Sequence, residues 1–231
     1  MKTLKLLVIA GMMLLLGLNL QAQKINYGVL AGYVYATPHV TQYEDYGTKL
    51  FYPMHSFNVN GFVEYRLSET WGIAAEPGYI RKGGVFKDKE DISNSSDHQL
   101  RLHYIQLPIL ANVYFSDRFF ISFGPEFAYL INKDASFPSL EEQHSAYYKF
   151  TPLEESAFEI SALIGVNYSI TKNIDLGLRY NHSITRFSEI GWINPRYGID
   201  LGIVSERSNA YNQYLQFIVR YRIKPGANKR S

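Results

Sequence analysis

The chain has 231 residues, no cysteine, a formal net charge of +2 and 15% aromatic residues, 19 of them tyrosine. Without cysteine there is no disulfide scaffold, no thiolate metal centre and no lipid-modified N-terminal cysteine, and near-neutral charge gives no footing for nucleic acid. The length fits one domain, and a mean hydropathy of −0.16 is compatible with a membrane barrel, where only every second strand residue meets lipid.

Residues 1–22 read as a secretory signal peptide. A basic start at Lys2 and Lys5 precedes an apolar run over 6–18, and Ala22 offers a small residue for cleavage. The apolar run is short for a membrane-spanning helix, which needs about 20 residues. The expected division is therefore a signal peptide over 1–22, a barrel over 23–224 and a polar tail over 225–231.

The mature chain is a succession of period-two rows, the signature of extended strands with one apolar face. A first strand over 25–36 places Ile25, Tyr27, Val29, Ala31, Tyr33 and Tyr35 on one face. After a polar and aromatic segment over 37–54, a second strand over 55–67 carries Phe57, Val59, Val63, Tyr65 and Leu67. A turn at 68–70 leads to a third over 71–82 with Trp71, Ile73 and Tyr79. A polar loop from Gly83 to His98 follows, with Gly83-Gly84 read as its hinge. In the fourth strand the apolar phase moves from Leu100, Leu102 and Tyr104 to Ile105, Leu107 and Ile109, so a β-bulge is expected near Tyr104-Ile105.

The turn Ser116-Asp117-Arg118 connects to a fifth strand with Phe119, Ile121, Phe123, Phe127, Tyr129 and Ile131 on one face. A long loop is expected over 133–156. A sixth strand over 157–170 shows Phe158, Ile160, Ile164, Val166, Tyr168 and Ile170. Thr171-Lys172-Asn173 turns the chain into a seventh over 174–184, with Leu176, Leu178, Tyr180 and His182. A loop over 185–210 precedes the eighth, with Leu215, Phe217, Val219, Tyr221 and Ile223.

Eight long strands, with three-residue turns alternating with long loops, predict an all-β, eight-stranded antiparallel transmembrane barrel with periplasmic turns and extracellular loops. The alternative is a soluble eight-stranded barrel of the lipocalin kind. The opposite parity decides between them. It holds Glu64, Arg66, Glu76, Glu126, Glu159, Asp175, Arg179, Arg220 and Arg222. Nine charges cannot sit in a dry core unpaired, but they can fill a polar lumen, so the apolar rows face lipid.

Three segments resemble a known family. Tyr104-Ile105-Gln106-Leu107-Pro108-Ile109-Leu110 is similar to the Y-L-x-x-P-L-L strand of the PorT-like outer-membrane β-barrels of Bacteroidetes. Phe123-Gly124-Pro125-Glu126-Phe127-Ala128-Tyr129-Leu130 resembles the G-P-x-x-x-Y-L strand that follows it there. Leu176-Gly177-Leu178-Arg179-Tyr180-Asn181-His182 looks like the family's penultimate strand, and the signal ending Ala-Gln fits the same source. The resemblance spans Gln23 to Ile223. It implies an integral protein of the outer membrane, exported and cleaved. The founding member is associated with type IX secretion, although most members have no assigned activity. The polar tail after Ile223 departs from the usual barrel ending, in which an apolar or aromatic residue is last.

The charges of the lumen read as an ion-pair network that plugs the barrel, with a narrow gated ion path as the alternative. Arg81, Lys82, Lys87 and Lys89 read as unspecific rim contacts with anionic lipid. A loop binding surface for protein or glycan is expected from Tyr43, Tyr46, Phe51, Tyr52, Trp192 and Tyr197. Glu141-Glu142 and Glu154-Glu155 read as solvated acids. The six histidines (His39, His55, His98, His103, His144 and His182) show no ligand spacing, so no metal or cofactor is expected. His182, Ser183 and Asp200 have no spacing that makes them a catalytic triad. The expected function is non-enzymatic, a structural or interaction barrel accessory to an envelope secretion or uptake machine. A narrow porin-like channel is the second reading, a rim-located enzyme the third. The expected partners are outer-membrane lipid, lipopolysaccharide and an envelope protein, with the barrel itself a monomer.

Overall fold

The computed structural model describes residues 25–41, 51–86, 98–135, 149–193 and 206–224. Eleven antiparallel strands form one sheet: β1 (Ile25–Val40), β2 (Phe51–Arg66), β3 (Trp71–Ala75), β4 (Gly78–Phe86), β5 (His98–Tyr114), β6 (Phe119–Ala135), β7 (Lys149–Glu155), β8 (Phe158–Ser169), β9 (Ile174–Ser183), β10 (Ser188–Ile193) and β11 (Glu206–Lys224). They make eight staves. β3 and β4 form one, interrupted at Glu76-Pro77. β7 with β8, and β9 with β10, form two more that break just above the wall and re-pair with each other. β1 pairs with β11, so the sheet closes on itself.

The stagger of the ring follows from the pairings. A path from Ile25 through Tyr65, Ile73, Ala111, Phe123, Ile164, Tyr180 and Leu215 returns to β1 at Tyr35, ten residues above its start. For eight strands that shear corresponds to a tilt of about 43° and an interior that side chains can fill.

The expected outward rows lie on the outside. Val29, Val59, Ile73, Ile105, Phe123, Ile164, Leu178 and Val219 are all exposed. A belt of this composition around a closed barrel matches hydrocarbon, not water. The connections at 67–70, 115–118 and 170–173 are tight. Ser68, Ser116 and Thr171 each accept backbone N–H bonds from residues two and three further on, so a hydroxyl at the first corner shapes all three turns. The segments 42–50, 87–97, 136–148 and 194–205, which follow β1, β4, β6 and β10 in the chain, lie outside the described residues.

Most strands run further towards the loop end than expected. β1 continues to Val40, β2 starts at Phe51, β4 reaches Phe86, β6 continues to Ala135, β11 starts at Glu206, and β7 and β10 occupy segments read as loop. In these extensions the sequence no longer alternates regularly, as in Asn132-Lys133-Asp134 and Glu206-Arg207-Ser208, while the strand pairing continues. Gly83 and Gly84 lie within β4, not at a loop hinge. Gly83 has φ +133°, and a Cβ there would stand 1.9 Å from the Leu100 carbonyl oxygen, so only glycine lets β4 pass so close to β5. The bulge also moves. β5 alternates without a break, with Leu100, Leu102, Tyr104, Gln106 and Leu110 all buried. The pairing steps from His103–Asn132 to Tyr104–Leu130, so the extra residue is Ile131 on β6.

Candidate functional site in the barrel lumen

Inward positions from every stave meet in the lumen, and charge there is stacked in decks. Nearest the turns, Arg222 on β11 pairs with Asp175 on β9 at 2.7 Å. Beside it Glu64 on β2 is a hub. It accepts from Arg220 at 2.8 Å, Asn26 at 3.2 Å, Asn112 at 3.3 Å and the Tyr114 hydroxyl. The Arg220 guanidinium lies over the Phe62 ring at 3.9 Å, and Arg66 covers the Tyr114 ring at 3.4 Å. These stacks bury the flat faces of both cations while their edges stay polar.

The second deck crosses the barrel. Glu76 sits where β3 gives way to β4, and both its oxygens accept from Arg179 of β9, at 2.5 and 2.9 Å. The two strands lie on opposite walls, so this bidentate pair spans the lumen. Pro77 explains the break in the stave, since it has no N–H to give. Its carbonyl still accepts from Gly61, and the Glu76 N–H donates to Pro108.

The third deck centres on Lys82. Its ammonium is fully buried and lies 2.8 Å from Glu126 of β6 and 2.8 Å from Glu159 of β8. The remaining carboxylate oxygens accept from Tyr214 at 2.6 Å and Asn212 at 2.6 Å, and Ser161 donates to Glu159 at 3.0 Å. Above this deck the lumen turns apolar. Val34, Val40, Phe51, Leu100, Leu102 and Phe187 pack with Tyr104 and Tyr214 into one buried cluster, which caps the ion pairs at the loop end.

Of the nine expected charges, eight stand in these pairs, and Arg66 stacks on Tyr114. Lys82 is not a rim contact but a fully buried lumen cation, and the expected strand over 71–82 already carries the signal, since Lys82 continues the inward parity of Gly72, Ala74, Glu76 and Ile80. With it, the three decks hold five acids and five bases among the described residues. Between the second and third decks, Asn58 Oδ1, Gln106 Oε1, Gln216 Oε1, Arg179 Nε and both amide atoms of Asn181 are buried without a protein partner. Such groups suit ordered water.

The expected loop surface is not assembled here. Phe51 is buried in the apolar cap and is withdrawn from that surface. Tyr52 is half-buried on β2. The side chain of Trp192, and Tyr43, Tyr46 and Tyr197, lie outside the described residues, as do Lys87, Lys89, Glu141, Glu142, His144, Asp200 and the segments 1–22 and 225–231. Glu154 and Glu155 fall on β7, not in a loop. His182 and Ser183 point to opposite faces, and Ser183 donates to the Thr185 carbonyl at 2.6 Å. Among the described residues no three His, Asp or Glu side chains gather to hold a metal ion.

A closed ring with a lipid-matching belt and an ion-paired lumen defines an integral outer-membrane barrel. The chain belongs to the family described as "Outer membrane protein beta-barrel domain", which it matches over residues 21–189. Its place is the outer membrane. No curated protein matches it in sequence. Among solved structures it is similar to the outer membrane protein OprG from Pseudomonas aeruginosa (9% identity, 86% of this chain and 91% of that one, TM-score 0.43). It is likewise similar to Ail, the attachment invasion locus protein of Yersinia pestis (8% identity, 87% and 99%, TM-score 0.44). Neisserial surface protein A is a third such structure (15% identity, 85% and 97%, TM-score 0.44).

Proposed function

We propose that this is a non-enzymatic interaction barrel whose lumen is a structural plug and whose loop end or periplasmic rim engages an envelope partner. The observation that carries it is the Glu76–Arg179 pair, which crosses the lumen beneath a fully buried Lys82–Glu126–Glu159 cluster. A barrel filled in this way offers its outside, not its inside, as the working surface. The resemblance of Tyr104–Leu110 and Phe123–Leu130 to the PorT-like strands supports the narrower reading, a monomeric accessory of a secretion or uptake machine, exported by a cleaved signal over 1–22. In-cell crosslinking followed by mass spectrometry tests it: a stoichiometric envelope protein is expected, and recovery of lipid and abundant bystanders alone would overturn it.

The second reading, a narrow channel, draws on the unpartnered amide oxygens of Asn58, Gln106 and Gln216 and on the amide of Asn181, which could line a hydrated path. Planar-bilayer recordings separate the two. The plug reading expects a silent bilayer, and steady single-channel steps from the wild-type protein would establish the channel instead.

A further inference from the structure

The outer face is not evenly apolar at its loop-side edge. On β2, β4 and β5 the outward rows end in His55, Arg81, His103 and Arg101. Arg81 pairs directly with His103 across the ladder, and Arg101 pairs with Gly83 one outward position higher, so the three stand as cross-strand and diagonal neighbours. Round the rest of the barrel the outward rows reach the same edge through Ile160, Ile184, Gln213 and Tyr35, and on β6 through the exposed acid Asp134, opposite Arg101. The cation beyond them, Arg186, is already paired with Glu189 at 2.8 Å.

The two guanidiniums differ from the ion-paired bases of the lumen in what holds them. Arg81 Nε donates to Ser56 Oγ at 2.9 Å, with its Cζ 5.3 Å from the Phe57 ring. Arg101 donates through Nε and Nη2 to Gln99 Oε1 at 3.0 and 2.6 Å. Both are hydrogen-bonded to neutral groups and neither is ion-paired among the described residues, although Asp134 stands opposite Arg101 in the β5–β6 ladder. The nearest acid, Asp134, is taken by His103 at 3.1 Å, and the other nitrogen of His103 meets the Tyr79 hydroxyl at 2.6 Å. Two fixed guanidiniums that face, among the described residues, a single carboxylate already bonded to His103 carry an excess of positive charge at the membrane edge, which suits an external anion. Directly below lie the Phe57 and Tyr79 rings, 5.8 Å apart, then Val59, Ile105 and Leu107. An anion on an apolar stem fits this sequence of surfaces.

We propose that this edge, with Arg81 and Arg101 as its anchors and His55 beside them, binds the phosphate headgroup of an outer-leaflet lipid whose acyl chains lie along the belt beneath. The test uses the intact barrel in nanodiscs of phosphatidylethanolamine doped with diphosphoryl lipid A, with bound lipid counted by native mass spectrometry. Arg81→Gln/Arg101→Gln is expected to lower retained lipid A roughly tenfold or more. Arg118→Gln, at the opposite end, should leave it unchanged, and heat-modifiable gel mobility confirms that each variant is folded. If the double variant does not fold, Arg101→Gln alone, at an exposed position, carries the test. Equal retention by folded variants would overturn the site. So would equal retention of dephosphorylated lipid A, which would mean binding by acyl chains, or displacement by millimolar inorganic phosphate, which would mean a site for the free anion.

Discussion

The two ends of the lumen solve the filling of a narrow barrel differently. Towards the turns, acids and bases are interleaved with aromatics and amides: Glu64 with Arg220, Asp175 with Arg222, Glu76 with Arg179. Towards the loops the interior is an apolar cluster with a single ionic floor, the Lys82 trio. A polar deck tolerates water and specifies which strands face one another. An apolar cap excludes water and is indifferent to the identity of its partners. The pairs therefore set register across the lumen, and the cap closes it.

The largest effect should come from removing a charge from the floor. Lys82→Met leaves Glu126 and Glu159 facing each other with no cation, and the expected loss is about 3–5 kcal/mol, the usual cost of orphaning a buried charge. Urea titration of the barrel in lipid vesicles measures it. Arg179→Leu should cost as much, whereas Glu76→Leu/Arg179→Leu should recover most of the loss, because no charge is then left alone. If the double variant is as unstable as the single ones, the deck is not acting as a pair.

Truncation within the cap should cost somewhat less. Leu102→Ala removes a buried side chain and is expected to lose about 2–4 kcal/mol, without opening a conducting path while the Lys82 trio is intact. Current through Leu102→Ala alone would show that the cap, not the ionic floor, seals the lumen. Gly83→Ala tests the close approach of β4 and β5, with about 1–3 kcal/mol expected from strain at that backbone conformation. The smallest effect belongs to Arg118→Gln in the turn 115–118, an exposed position, where about 0.5 kcal/mol or less is expected.

The contrast between the two ends also explains which parts were legible in the sequence. Where the lumen is charged, alternation reads cleanly, because Glu76 or Arg179 stands between apolar neighbours and parity alone assigns it inward. Where the lumen is apolar, both faces of a strand are apolar. Leu100, Leu102 and Tyr104 then resemble an outward row, and the change at Ile105 resembles a bulge on β5. Phe51 was read as a loop aromatic for the related reason that only its packing with Leu100 and Phe187 reveals it as interior.

Taken alone, the sequence determined that the chain crosses a membrane as long antiparallel strands and which side chains meet lipid, since a period of two depends on each strand by itself. It also separated the charged parity from the apolar one, and so inside from outside. The tertiary structure decided who pairs with whom. Glu76 meets Arg179 more than a hundred positions away because the ten-residue stagger brings opposite walls to one height, and no local pattern encodes that stagger. The role of Lys82, the seat of the bulge on β6 and the meeting of Arg81 and Arg101 at the rim follow from the same pairing of strands.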